Sequence, residues 1–83
     1  MTSISILINT IDKVKQFVQL VSGFEGDLDL STGRYTIDAK SIMGIFSLDI
    51  SKPLDLTIYN DEKAAEYIEQ LHDFIIESTS KED

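Results

Sequence analysis

Few residues in this chain could do chemistry. Ser41 lies inside Asp38-Ala39-Lys40-Ser41-Ile42-Met43-Gly44-Ile45-Phe46-Ser47-Leu48, which closes a strand and then turns too apolar for a free loop. A serine at that junction predicts an N-cap, its hydroxyl accepting from the first amides of a helix, those of Ile42, Met43 and Gly44. Exposed helix starts attract anions, so Ser41 is also a place for a phosphate to sit. His72 is the only histidine, and Glu69, Asp73 and Glu77 surround it, so it reads as a partly exposed residue of the last helix. Asp27, Asp29, Asp38 and Asp55 offer oxygens to a hard cation, yet alternating carboxylates are also what a solvated strand face carries; no metal site is assigned. Ser22, Ser41 and Ser47 have no histidine beside them to act as a base, which excludes a serine hydrolase. Arg34, the sole arginine, reads as a solvated residue by a turn.

The elements that must position these residues follow from periodicity. Ser3 to Ile8 alternates, so Ile4, Ile6 and Ile8 share one strand face. Asn9 or Thr10 can cap a helix whose stripe is Ile11, Val14, Val18 and Val21, widened by Phe17 and Leu20 and ended by Ser22-Gly23. Asp27 to Leu30 alternates, Ser31-Thr32-Gly33 turns, and Tyr35 and Ile37 return as a hairpin. The helix opened by Ser41 is short: Gly44 weakens it and Ser51-Lys52-Pro53 stops it. Leu54 to Ile58 is a fourth strand. Asn60-Asp61 starts a last helix with Ala64, Ile68, Leu71 and Ile75 inward. The order βαββαβα predicts an α+β fold: a sheet with one wet face and amphipathic helices on the other.

At 83 residues the chain makes one domain, near the lower limit for an unassisted hydrophobic core. It has no cysteine and a formal charge of −8, which argue against disulfides and against nucleic acid or an anionic membrane as direct partners. With no signal-peptide pattern and no apolar span, the expected compartment is the cytoplasm.

The run Lys40-Ser41-Ile42-Met43-Gly44-Ile45-Phe46-Ser47-Leu48 resembles the regulatory-serine segment of HPr, the phosphocarrier of the bacterial sugar phosphotransferase system. Val18-Gln19, Ser22-Gly23-Phe24 and Leu56-Thr57-Ile58 extend the likeness over roughly residues 3 to 76. The resemblance implies an HPr-like open-faced β-sandwich, a four-stranded antiparallel sheet in the order 1-4-2-3 covered on one face by helices. Residues 1–77 would form a single HPr-like domain and 78–83 a frayed polar tail.

The family carries phosphate on a histidine within Gly-Ile-His-Ala-Arg-Pro-Ala. Counting back without gaps from Lys40-Ser41-Ile42 sets Thr10 at the histidine position, Asp12 at the arginine and Lys13 at the proline. A threonine phosphoester is a far poorer phosphoryl donor than a phosphoimidazole, and Asp12 adds charge where the arginine would offset it. The expectation is therefore a paralogue that is not an enzyme or a carrier and needs no cofactor. The resemblance implies regulatory phosphorylation at Ser41, as in the catabolite-repression variant of HPr, and partner docking through Lys40, Ile42, Met43 and Phe46. HPr kinase/phosphorylase and a transcriptional repressor are the implied partners. Ile45 and Leu48 are expected in the core. The alternative is a structural or interaction domain in which Ser41 is only an N-cap.

Overall fold

The computed structural model describes residues 1–76. Its elements run β1 (Thr2–Ile6), α1 (Ile11–Val21), β2 (Leu28–Thr32), β3 (Tyr35–Asp38), α2 (Ile42–Phe46), β4 (Leu54–Ile58) and α3 (Ala64–Gln70). The strands form one antiparallel sheet in the order β1-β4-β2-β3. This is the α+β, βαββαβα architecture the alternation predicts. The tail placed at 78–83 lies outside the described residues.

Strict alternation sorts the strand residues by face. Ile4 and Ile6 pair with Leu56 and Leu54, and Leu28 and Leu30 pair with Ile58 and Leu56, giving one continuous apolar face. The opposite face holds two rows across the sheet, Ser3-Thr57-Asp29-Asp38 and Ser5-Asp55-Ser31-Thr36. Every residue in those rows is Ser, Thr or Asp, so the face is left to water.

The helices close the apolar side. Val14, Phe17 and Val21 of α1 are buried, and the Phe17 ring meets Phe74 edge to face, with centroids 5.9 Å apart. Burying such a side chain contributes roughly 1.5–3 kcal/mol. Ile45 of α2 is fully buried and Leu48 packs against the core from its edge, as expected.

Several local expectations shift. Ile11, the first residue of α1 after its Thr10 cap, is 60% exposed rather than part of the buried stripe. Strand β1 ends at Ile6 rather than Ile8, although Ile8 is still fully buried. The hairpin turn is tighter than Ser31-Thr32-Gly33: Ser31 and Thr32 stay in β2, and Gly33-Arg34 alone reverses the chain. Gly33 at φ 56° makes that two-residue turn possible.

Pro53 does not stop α2. The Ser47 hydroxyl donates to the Gly44 carbonyl at 2.5 Å and ends the helix after Phe46. Asn60 does not start α3 either. Its Oδ1 accepts from the Lys63 amide in a preceding turn, and the helix begins at Ala64 without a side-chain cap.

The buried stripe of the C-terminal region is Ala64, Tyr67, Leu71 and Phe74, with Ile68 and Ile75 only half-buried. Tyr67 stacks on Phe24 with centroids 3.9 Å apart, and its hydroxyl accepts from the Glu25 amide at 2.7 Å. Beyond α3 the chain returns to the sheet edge: the Leu7 amide donates to Phe74, and the Ile76 amide to Ser5.

Candidate functional site

The site is built where β3 hands over to α2. The Asp38 side chain accepts from the Lys40 amide at 2.9 Å, and its carbonyl accepts from the Ser41 amide at 3.0 Å. These two bonds fold the chain sharply after the strand. Ala39 fits beneath the turn because it is small, and it is fully buried. Ser41 then adopts an extended conformation (φ −98°, ψ 103°) and its Oγ accepts from the Gly44 amide at 3.1 Å. The expected cap is thus present, made to the third of the three candidate amides. Ser41 is exposed, so its hydroxyl is both a cap and accessible.

The residues around it divide cleanly. Met43 is 78% exposed and Phe46 41% exposed, whereas Ile42 is half-buried against the core. Large apolar side chains so open to water, adjoining an exposed hydroxyl, are informative where a buried polar or an exposed apolar group needs a reason. Lys40 has a structural engagement as well. Its Nζ donates to the carbonyls of Phe24 at 2.7 Å and Gly26 at 3.1 Å, stitching this turn to the loop after α1.

At the start of α1, the Thr10 Oγ1 accepts from the Lys13 amide at 3.1 Å, and Asp12 sits in the first turn. An acidic residue there complements the positive end of the helix dipole. Helices α1 and α2 pack against one another. A threonine so engaged, with a carboxylate two residues on, offers no nucleophile of the imidazole kind.

His72 lies in the turn after α3, which ends at Gln70. Its Nδ1 is 3.0 Å from the Glu69 carbonyl oxygen, and its Nε2 is 3.1 Å from the Asp73 carboxylate. Asp29, Asp38 and Asp55 fall on the open sheet face, and Asp27 with Asp29, Asp38 and Tyr59 rims a depression of about 220 Å³. The Tyr59 hydroxyl donates to Asp29 at 2.8 Å, which holds the phenol above its usual pKa; the nearby negative charge of Asp29 and Asp27 adds to this. Among the described residues, no group of three acids or histidines is arranged to hold a metal ion. No helix of these residues is long and apolar enough to cross a membrane. Sequence reasoning missed the Lys40 anchor, the Ser47 stop and the Tyr59–Asp29 bond, because each joins residues by tertiary placement or by a hydroxyl with many alternatives.

An open sheet ordered β1-β4-β2-β3, with its helices on one face and a capping serine after β3, is a small open-faced β-sandwich. Comparison with known proteins places it. The family described as "PTS HPr component phosphorylation site" matches residues 13–77. The chain belongs to the HPr family. Among solved structures it is similar to HPr-C-His from Thermoanaerobacter tengcongensis, at 26% identity and TM-score 0.71, with 100% of each chain covered. It is also similar to a phosphocarrier protein HPr from Bacillus anthracis str. Ames, at 26% identity and TM-score 0.73, covering 90% of this chain and 96% of that one. The family match begins at Lys13, past Thr10 and Asp12. HPr-family proteins are phosphocarriers that work with other proteins and are not classical enzymes.

Proposed function

We infer that this chain is a non-catalytic regulatory module related to the phosphotransferase system, switched by phosphorylation at Ser41 and docking a protein partner. The observation that carries this reading is the accessible Ser41 hydroxyl beside exposed Met43 and Phe46. Thr10 and Asp12, at the positions where the family's motif has histidine and arginine, support the absence of carrier activity. HPr kinase/phosphorylase is the modifying enzyme of this reading, and a transcriptional repressor is the class of partner that would read the modified surface, in the cytoplasm. Lys40 and Ile42 border the docking surface, with Lys40 acting through the turn it anchors.

A phosphate on Ser41 brings about −1.5 to −2 charges next to free first-turn amides, where negative charge is favoured. The acidic groups farther away are screened within about 8 Å at physiological salt. Modification therefore leaves the fold intact and converts an apolar surface into an anion flanked by Met43 and Phe46. Incubation with HPr kinase and ATP tests this through amide NMR spectra. Shifts confined to about residues 38–48 support a local switch; no modification of Ser41, or shifts across the sheet and α3, removes the reading. The 3.1 Å cap bond to Gly44 favours the alternative, in which the hydroxyl serves only the helix. The two part on whether the kinase accepts the chain. Absence of acid-labile phosphate after enzyme I and phosphoenolpyruvate treatment is expected under both.

A further inference from the structure

We propose that the free edge of β3 is a pairing surface for a second copy of this chain, joining two sheets through antiparallel β3 strands centred on Thr36. The two edges of the sheet are not alike. Strand β1 is covered along Ser5 and Leu7, whose outward backbone groups bond to Ile76 and Phe74. Among the described residues, strand β3 has no strand beyond it.

The hydrogen-bonding parity of β3 follows from its neighbours. The Ala39 amide donates to the Leu28 carbonyl, so in this antiparallel pair Leu30–Ile37 and Thr32–Tyr35 are the bonded pairs and Ser31–Thr36 is not. The amide and carbonyl of Thr36 therefore point away from the sheet, and Thr36 is exposed. These groups are a ready template for another strand.

The residues along this edge are complementary to themselves. With Thr36 opposite Thr36 of the second copy, Tyr35 lies opposite the second copy's Ile37, and Arg34 opposite the second copy's Asp38. Each contact between unlike residues is made twice by the twofold axis, as a closed isologous dimer requires. The pairing covers Tyr35, which is 70% exposed, with the half-buried Ile37. It also unites the only arginine of a chain charged −8 with a carboxylate. Among the described residues neither Arg34 nor Asp38 has an ion-pair partner within the monomer. An unrelated extended peptide would need no such symmetry of the edge, which is why the second copy is the occupant. The surface shares Asp38 with the turn that presents Ser41 but makes no use of the Ser41 hydroxyl, so this inference stands without the proposed switch. A five-residue edge buries less than a standard interface of about 800 Å² per partner. Association is correspondingly weak, and it is read at high micromolar to millimolar concentration.

The experiment is sedimentation velocity of the full chain from micromolar to millimolar concentration, with amide NMR spectra along the same series. The expected result is a sedimenting mass rising toward twice that of the chain, with concentration-dependent shifts at residues 34–38 and the Thr36 amide becoming protected from exchange. Thr36→Pro removes an outward amide that bonds to none of the described residues, at an edge position proline tolerates. It should stay monomeric throughout. Arg34→Asp, at an exposed turn residue, sets two carboxylates against each other twice and should weaken association about tenfold or more. A chain monomeric to millimolar concentration overturns the proposal. So do concentration-dependent shifts centred on Met43 and Phe46 or on β1, or variants that self-associate like the parent.

Discussion

Replacing Gly44 by alanine sets two effects of similar size against each other. Alanine in a helix interior gains about 0.8–1.0 kcal/mol over glycine. The added Cβ, however, would stand 3.2 Å from the Ser41 Oγ, while Ile37 and the Ser41 Cβ lie at an ordinary 3.5 Å. The hydroxyl must yield by a few tenths of an ångström, away from the Gly44 amide it caps at 3.1 Å. A capping hydroxyl is worth roughly 0.5–2 kcal/mol, so its partial loss offsets the helical gain. Gly44→Ala alone should therefore change stability by less than about 0.5 kcal/mol. Ser41→Ala alone should destabilise by about 1 kcal/mol. In the Ser41→Ala background the obstructing oxygen is gone, and adding Gly44→Ala should recover close to the full helical gain, about 0.8 kcal/mol. Urea unfolding of the four proteins reads this directly, since a midpoint moves by the stability change divided by a slope of about 1 kcal/mol/M for so small a chain. If Gly44→Ala has the same effect with and without the Ser41 hydroxyl, the two residues are not coupled and the cap geometry argued above is wrong.

Three further outcomes follow from the same contacts. Tyr67→Phe keeps the stack on Phe24 but strands the Glu25 amide, and should lower stability by about 1–2 kcal/mol in the same urea assay. Asp38→Asn preserves the oxygen that accepts from Lys40 while removing a like charge directly opposite Asp29; it should stabilise by roughly 0.2–1 kcal/mol at neutral pH in the same assay, and no gain would mean that the two charges do not interact across the strands. Tyr59 should ionise above the usual tyrosine value in a spectrophotometric titration, because the neutral phenol donates to Asp29. A pKa raised on folding contributes stability that is complete below the unfolded value near 10 and is lost as pH rises through the folded one, so Tyr59→Phe should flatten that alkaline loss.

Strand identity and the sidedness of the sheet were legible in the sequence because a period of two leaves little choice. Ile4, Ile6, Leu28, Leu30, Leu54, Leu56 and Ile58 face inward because any register shift by one residue would bury Asp and Ser in their place. Ser41 was legible as a cap because a hydroxyl before an apolar run has few better uses. The phase of the last helix was not. Hydropathy favours Ile68 and Ile75, but Tyr67 and Phe74 take the buried positions, since Phe24 offers a ring to stack on and Glu25 offers a partner for the phenol.

The sequence by itself thus determined which stretches are strands and helices, which face of each strand is apolar, where α2 begins, and that the chain resembles the HPr family. Only the tertiary structure decided that Asp29 faces Asp38, that Lys40 spends its ammonium on Phe24 and Gly26, that Met43 and Phe46 stand in water beside Ser41, and that, among the described residues, β1 is covered at its edge while β3 is open. The physical reason is the range of the interactions. Periodicity and capping are satisfied within a few residues of one another along the chain. Cross-strand pairing, carbonyl anchoring and edge covering bring together groups distant in sequence, and they exist only once the strands have found their order.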